Sequence, residues 1–290
     1  MKIQKERYYF DYNIYQKISK DNIKINDEFL KFNDIFLSVA HVEEYYKAYK
    51  NDVKDLNKDS LKRLKDLMID ISKKRIILNP SEKTGIRAKY QTFDSCYDIV
   101  QKYDTRSIIE KKGEEINKLE KSIVETLRKE DSIARHNSSL DIKLIWEQPE
   151  VIEKIARFGD FYKDYNKQCF DILCSVYGKE AAKKINSNLP TNFDLCQDCF
   201  KKDIPPFNLL ECIIEYLFKV LSMCGYHRDK EVRKTISGIH DISHAIYATY
   251  CGYFVTLDAN FRKRLEAIYY YLGLKTELLL FDDLSGKGLY

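Results

Sequence analysis

At both ends of this chain, short apolar β-prone runs stop near an acidic residue and hand over to a helical pattern, and that alternation constrains the fold more than any other feature. Tyr8-Tyr9-Phe10 ends in Asp11, and Ile35-Phe36-Leu37-Ser38-Val39 leads into a helix-like stretch from His41 to Tyr49. Near the far end, Tyr253-Phe254-Val255-Thr256-Leu257 reads as a buried strand stopping at Asp258. An amphipathic helix from about Phe261 to Leu272 and a last strand near Leu274 to Leu280 follow it. Before that strand, Ser237-Gly238-Ile239-His240 is a break leading to Asp241. The helix it opens would bury Ile242, Ala245, Ile246, Ala248 and Thr249, and Cys251-Gly252 ends it. Strands alternating with helices imply a parallel sheet, so the expected class is α/β.

The middle of the chain reads differently. From roughly Asn51 to Lys202 it is charged and helical in pattern, with turn signals at Asn79-Pro80, Asn137-Ser138-Ser139 and Leu189-Pro190. Leu61, Leu64, Leu67, Met68 and Ile71 recur at helical steps, as do Ile108, Ile109, Ile116, Leu119, Ile123 and Leu127, which suits helical hairpins packed along one stripe. Pro205-Pro206 is the best boundary, because neither proline fits a helix interior and the apolar run Phe207 to Met223 begins just after. The expected organisation is a core made of residues 1–50 and 206–290 around an all-helical insertion over residues 51–205.

With 44% hydrophobic and 32% charged residues, the chain is an ordered, helix-rich protein. Glu211, Glu215 and Lys219 interrupt the longest apolar run, which therefore reads as a buried helix and not a membrane span. The charged start, Met1 to Phe10, lacks the apolar centre of a signal peptide, so the expected location is cytoplasmic and the eight cysteines are expected as thiols. A net charge of +4 decides nothing about nucleic acid. Between Leu61 and Tyr90, however, Lys62, Arg63, Lys65, Lys73, Lys74, Arg75, Lys83, Arg87 and Lys89 face only Asp66, Asp70 and Glu82. That stretch suits a phosphate backbone and equally a solvated face.

Four acids stand where such a fold does chemistry: Asp11 and Asp258 at strand ends, Glu44 in the first turns after the second strand, and Asp241 at a helix start. Ligands of doubly wound sheets gather beyond the carboxyl ends of the strands, near the topological switch point. Carboxylates brought together there repel, unless a divalent cation neutralises them. Oxygen ligands favour Mg²⁺ or Mn²⁺, either of which activates water and offsets charge at a phosphodiester. Taken singly, each acid also suits a cap, a turn or a solvated helix face.

In this arrangement the chain resembles the PIN-domain nucleases, a Rossmann-like family that carries its acids in this order. Tyr9-Phe10-Asp11-Tyr12-Asn13 resembles the family's first strand and its aspartate, and Ser38-Val39-Ala40-His41-Val42-Glu43-Glu44-Tyr45 its serine-containing second strand and following glutamate. The most specific match is the closing signature, Asp241-Ile-Ser-His244-Ala245-Ile-Tyr-Ala248 with Phe254-Val255-Thr256-Leu257-Asp258 and Phe261. The match covers roughly residues 7–50 and 206–280. It implies a PIN-like parallel core and a metal-dependent nuclease with Asp11, Glu44, Asp241 and Asp258 as catalytic and metal-binding residues. RNA is favoured over DNA as substrate. Family roles extend to toxins and phage-defence effectors, and the insertion suits a protein regulator or partner. The alternatives are a structure-specific DNA nuclease, or an inactive PIN-fold binding and assembly module.

Supporting roles fall to Thr256, two residues before Asp258, to His244, one helical turn after Asp241, and to Asn13. Thr256 also suits strand packing, His244 a satisfied structural histidine, and Asn13 and Asn260 turns. His240 and His41 rank lower. Cys196-Gln-Asp-Cys199 with Cys169 and Cys174 could close a structural zinc site, but the second pair is loosely spaced. Cys96, Cys212, Cys224 and Cys251 read as small core residues. The tyrosines, 22 in all, suit base stacking and more simply core packing.

Overall fold

A computed structural model describes residues 5–51, 58–72, 76–81, 85–103, 131–186, 190, 193–227 and 241–289. Its centre is a six-stranded sheet in which β1 (Glu6–Phe10), β2 (Asn33–Ser38), β3 (Ile76–Ser81), β5 (Tyr253–Thr256) and β6 (Glu277–Leu280) run parallel. β4 (Gly85–Tyr90) adds an antiparallel edge to β3, and the order is β4-β3-β2-β1-β5-β6.

The strands alternate their side chains between two cores. Tyr9, Phe36, Leu78, Ile86, Phe254 and Leu278 face the first. Tyr8, Phe10, Ile35, Leu37, Ile77, Val255 and Leu279 face the second. Winding outward from β1 to β3, the chain lays α1 (Tyr12–Lys20), α2 (Asp27–Phe32), α3 (Val39–Asn51) and α4 (Lys58–Ile71) largely on the second core, joined by α5 (Phe93–Tyr103). Winding the other way from β5 to β6, it lays α12 (Ala259–Leu272) on the first. Right-handed crossovers place helices on opposite faces when the direction reverses. The reversal falls between β1 and β5, so the switch point lies at the carboxyl ends of those two strands.

The middle segment belongs to this body. It holds α6 (Asp131–Ser138), a 3₁₀ turn (Leu144–Glu147), α7 (Pro149–Ile155), α8 (Phe158–Tyr177), α9 (Lys179–Asn186) and α10 (Phe207–Met223). Trp146, Val151, Phe158 and Tyr162 share the first core with the apolar face of α10 and with the helix at 241–248, α11. Polar stitches hold them there: Trp146 Nε1 donates to the Ala267 carbonyl at 3.1 Å, and the Asn137 amide donates to the Cys224 carbonyl at 2.6 Å.

The expectation of an all-helical segment over residues 51–205 is corrected, because β3 and β4 lie inside it and extend the sheet. Asn79-Pro80 reads as a turn, yet it lies within β3. Pairing to β2 stops at Leu78, so Pro80, which has no N–H to give, interrupts no bond to that neighbour. The remaining expected elements of the two ends are present as strands and helices within a few residues, and Pro206 caps α10. The periodic run from Ile108 to Leu127 and the break at Ser237 to His240 lie outside the described residues. Of the basic stretch, Lys62 and Arg63 are exposed on α4 and Arg87 and Lys89 on β4, while Lys65 pairs with Asp94. Lys73, Lys74, Arg75 and Lys83 lie outside the described residues. Among the described residues no helix is long and apolar enough to cross a membrane.

Candidate active site

The register between β1 and β5 determines how the site is built. Phe10 lies opposite Val255, and the Asp11 N–H still donates to the Val255 carbonyl at 2.9 Å. Asp11 is therefore level with Thr256, whose hydroxyl donates to the Asp11 carboxylate at 3.1 Å. Asp11 begins α1 but makes no side-chain cap bond there, so helix capping does not account for its carboxylate. It is buried, with 4% of its surface exposed.

Two residues beyond Thr256 the chain has left the sheet. The Asp258 N–H donates to Thr256 Oγ1 at 3.2 Å, and Asp258 Oδ1 accepts from the Phe261 N–H at 2.9 Å, capping α12. That cap satisfies one of the helix's unpaired donors and sets the negative charge at the positive end of its dipole.

Glu44 on α3 and Asp241 at the start of α11 complete the cluster. Burial, first, and then the charges of Asp11 and Glu44, with a smaller push from Asp258, raise the Asp241 carboxyl to about 8, while His244 opposes them. Asp11 is raised too, chiefly by burial and then by Glu44, with His244 and the Thr256 hydroxyl pulling it back. Asp241 thus lies within the field of the other three carboxylates, and Asp11 within that of Glu44, although the chain positions that carry them are far apart. Among the described residues, no three of these side chains, and no three cysteines or histidines, close into a ready metal cage.

Beneath the acids runs a buried polar chain that sequence reasoning missed. His244 Nε2 lies 3.3 Å from Glu44, an ion pair set off the hydrogen-bond line, and its Nδ1 is 2.6 Å from the Tyr9 hydroxyl. The Tyr9 hydroxyl is 2.6 Å from Ser38 Oγ, which is 3.2 Å from His41 Nδ1. His41 Nδ1 also accepts from the Ser38 N–H at 3.0 Å, so its proton is on Nε2, which donates to the Phe10 carbonyl at 2.7 Å. Burial disfavours a charge on His244, but Glu44, Asp11 and Asp241 outweigh it and raise its pKa. Burial, then the charge of His244, drives His41 well below the usual histidine range. The two rings are thus pushed in opposite directions, His244 toward its protonated form beside Glu44 and His41 toward the neutral ring that ties α3 to the end of β1 just before Asp11.

The spacing carried a signal. His41 with Glu44 and Asp241 with His244 are each one helical turn apart, which places each pair on one face of its helix. The alternation of β1 sends Tyr9 to that side as well. His41, ranked low from sequence, is fully buried at the centre of the network.

The remaining sequence candidates fall outside this cluster. Asn13 and Asn260 are exposed and line a groove beside Asp258. His240 lies outside the described residues. Cys174, Cys196 and Cys199 are free thiols, and burial, then Cys196, raises the Cys199 thiol to about 11. The side chain of Cys169 lies outside those described, and the zinc expectation gains no cluster among the rest.

Compared with protein-family models, curated proteins and solved structures, the chain finds no match.

Proposed function

We propose that this chain is a PIN-like nuclease that hydrolyses phosphodiester bonds, with RNA as the favoured substrate. What supports the reading is that Asp11 and Thr256 lie level at the ends of β1 and β5, next to the switch point, and that burial together with the charges of Asp11, Glu44 and Asp258 raises the Asp241 carboxyl. Carboxylates brought together against their own repulsion, one of them buried and two partly buried, point to a cation or a reaction that uses them.

The donor set is all carboxylate oxygen, which fits Mg²⁺ or Mn²⁺ better than a softer ion. Asp11, Glu44, Asp241 and Asp258 would hold it. Bound there, such an ion supplies the positive charge that acidifies a water and offsets charge on the phosphorus and the leaving oxygen. The rest falls to the protein: Thr256 orients Asp11, His244 orients Glu44, and the α12 terminus orients Asp258. No protein nucleophile is required.

The test is incubation of purified protein with labelled single-stranded RNA, transfer RNA and forked DNA, in Mn²⁺ or in EDTA. RNA should be cut in Mn²⁺ alone, and Asp241→Asn should lose cleavage while keeping its circular dichroism. Equal activity in the variant rejects the assignment, and preferential cutting of forked DNA replaces RNA with a structure-specific DNA substrate.

A further inference from the structure

Next to the carboxylates, a groove of about 680 Å³ separates α1 from the turn between β5 and α12, lined by Asn13, Gln16, Lys17, Lys20, Asp21, Leu257, Asp258, Ala259 and Asn260. Its volume falls in the range of about 300–1,000 Å³ typical of ligand sites. One wall follows from helix periodicity. Asn13, Gln16, Lys17 and Lys20 fall on one stripe of α1, while Ile14, Tyr15 and Ile18 on the other side enter the second core. The opposite wall supplies an apolar surface. Leu257, a large aliphatic side chain between Thr256 and Asp258, is 39% exposed and lines the groove.

We propose that this groove holds the unpaired nucleic-acid strand that flanks the cleaved bond, with Lys17 and Lys20 on its phosphates and Leu257 against the face of a base. That the strand is a substrate rests on the nuclease reading given above. Amides and ammonium groups along one wall match the phosphates and sugars that position a strand. An apolar side chain on the other wall matches a base face, and base faces are accessible only where the strand is unpaired. Lys17 contacts Asp21 at 3.1 Å, with side chains 36% and 43% exposed. Exposed pairs of this kind contribute only ~0–1 kcal/mol, so a phosphate competes for the lysine at little cost. Asp258 borders both the groove and the carboxylate cluster, so a strand lying in the groove continues directly into the site.

The experiment measures binding without turnover. Fluorescence anisotropy of a labelled single-stranded RNA oligonucleotide is recorded in EDTA across a salt series, with the matching duplex beside it. Lys17→Gln/Lys20→Gln should weaken binding about tenfold and flatten the logarithmic salt slope by roughly 1.4, two single-strand phosphate contacts at about 0.7 each. Leu257→Ser should weaken single-strand binding severalfold with the salt slope unchanged. Lys163→Gln/Lys167→Gln, a charge-matched change on the exposed face of α8, should leave both readings as they were. Wild-type affinity and slope in the groove variants, a duplex bound as tightly as the single strand, or no RNA binding by the wild-type chain each overturns the proposal. Groove-dependent binding without cleavage in Mn²⁺ refutes the nuclease reading alone. Cleavage with groove variants that bind normally refutes the groove alone.

Discussion

Asp11 and Asp258 leave neighbouring parallel strands at almost the same level, yet the two acids live in opposite environments. Asp11 stops one residue past the last paired position, where Thr256 and the core enclose it. Asp258 lies two residues farther along than Thr256, outside the sheet, where it caps a helix and faces the groove. The difference is a matter of register and not of residue type. A carboxylate level with its neighbour strand is buried and repelled by other acids, whereas one two residues beyond is solvated and satisfied by a helix terminus.

The largest test of that contrast is the pH dependence of the metal-free protein. The Asp241 carboxyl rises from 3.8 to about 8. Between those values the folded state keeps a proton that the unfolded chain releases, so this contribution to stability is fully present below pH 4 or so and is lost as pH climbs through about 8. In urea denaturation with EDTA, the wild-type protein should lose stability relative to Asp241→Asn over that window, by an amount on the order of a few kcal/mol. A constant difference between the two proteins would break the buried half of the comparison.

Next comes the buried polar chain behind Glu44. Tyr9→Phe removes the hydroxyl shared by His244 and Ser38 and leaves buried partners unsatisfied, at a cost of about 1–3 kcal/mol. Because Glu44 is oriented through His244, Mn²⁺ affinity and cleavage should fall by roughly 10–100-fold. Unchanged Mn²⁺ affinity in a folded Tyr9→Phe protein would reduce the network to packing.

The smallest effect sharpens the exposed half. Asp258→Ser keeps a capping oxygen and should alter stability by only a few tenths of a kcal/mol, while Asp258→Ala should cost about 1 kcal/mol. Both remove the carboxylate, so both should lose cleavage equally. Full cleavage by the serine variant would leave Asp258 as a cap and nothing more.

What could be read in advance follows from how local each signal is. The strands of the two ends announce themselves because Tyr8-Tyr9-Phe10 and Tyr253-Phe254-Val255 are contiguous apolar runs, in which Tyr8 to Phe10 and Phe254-Val255 are buried on both faces. Their acids were visible as the residues at which those runs stop. β3 and β4 were not, since Ile76-Ile77-Leu78 is short and flows into Asn79-Pro80. In β4 the exposed Arg87 and Lys89 are edge-strand charges that read as helix surface. The linkage of Tyr9, Ser38 and His41, with His41 ranked low, was hidden for another reason: their partners lie on other elements, and polar pairing across a core leaves no period in the sequence.

The pairing of Tyr9 with Phe254 means that β1 must wait for a strand translated some 245 positions later. At synthesis rates of about 5–20 residues per second, that delay is roughly 12–50 seconds. Until then Asp11 has no Thr256 to hold it. The pocket is thus withheld from every nascent chain that does not yet include β5, and a premature stop anywhere ahead of β5 yields a polypeptide in which it cannot be completed.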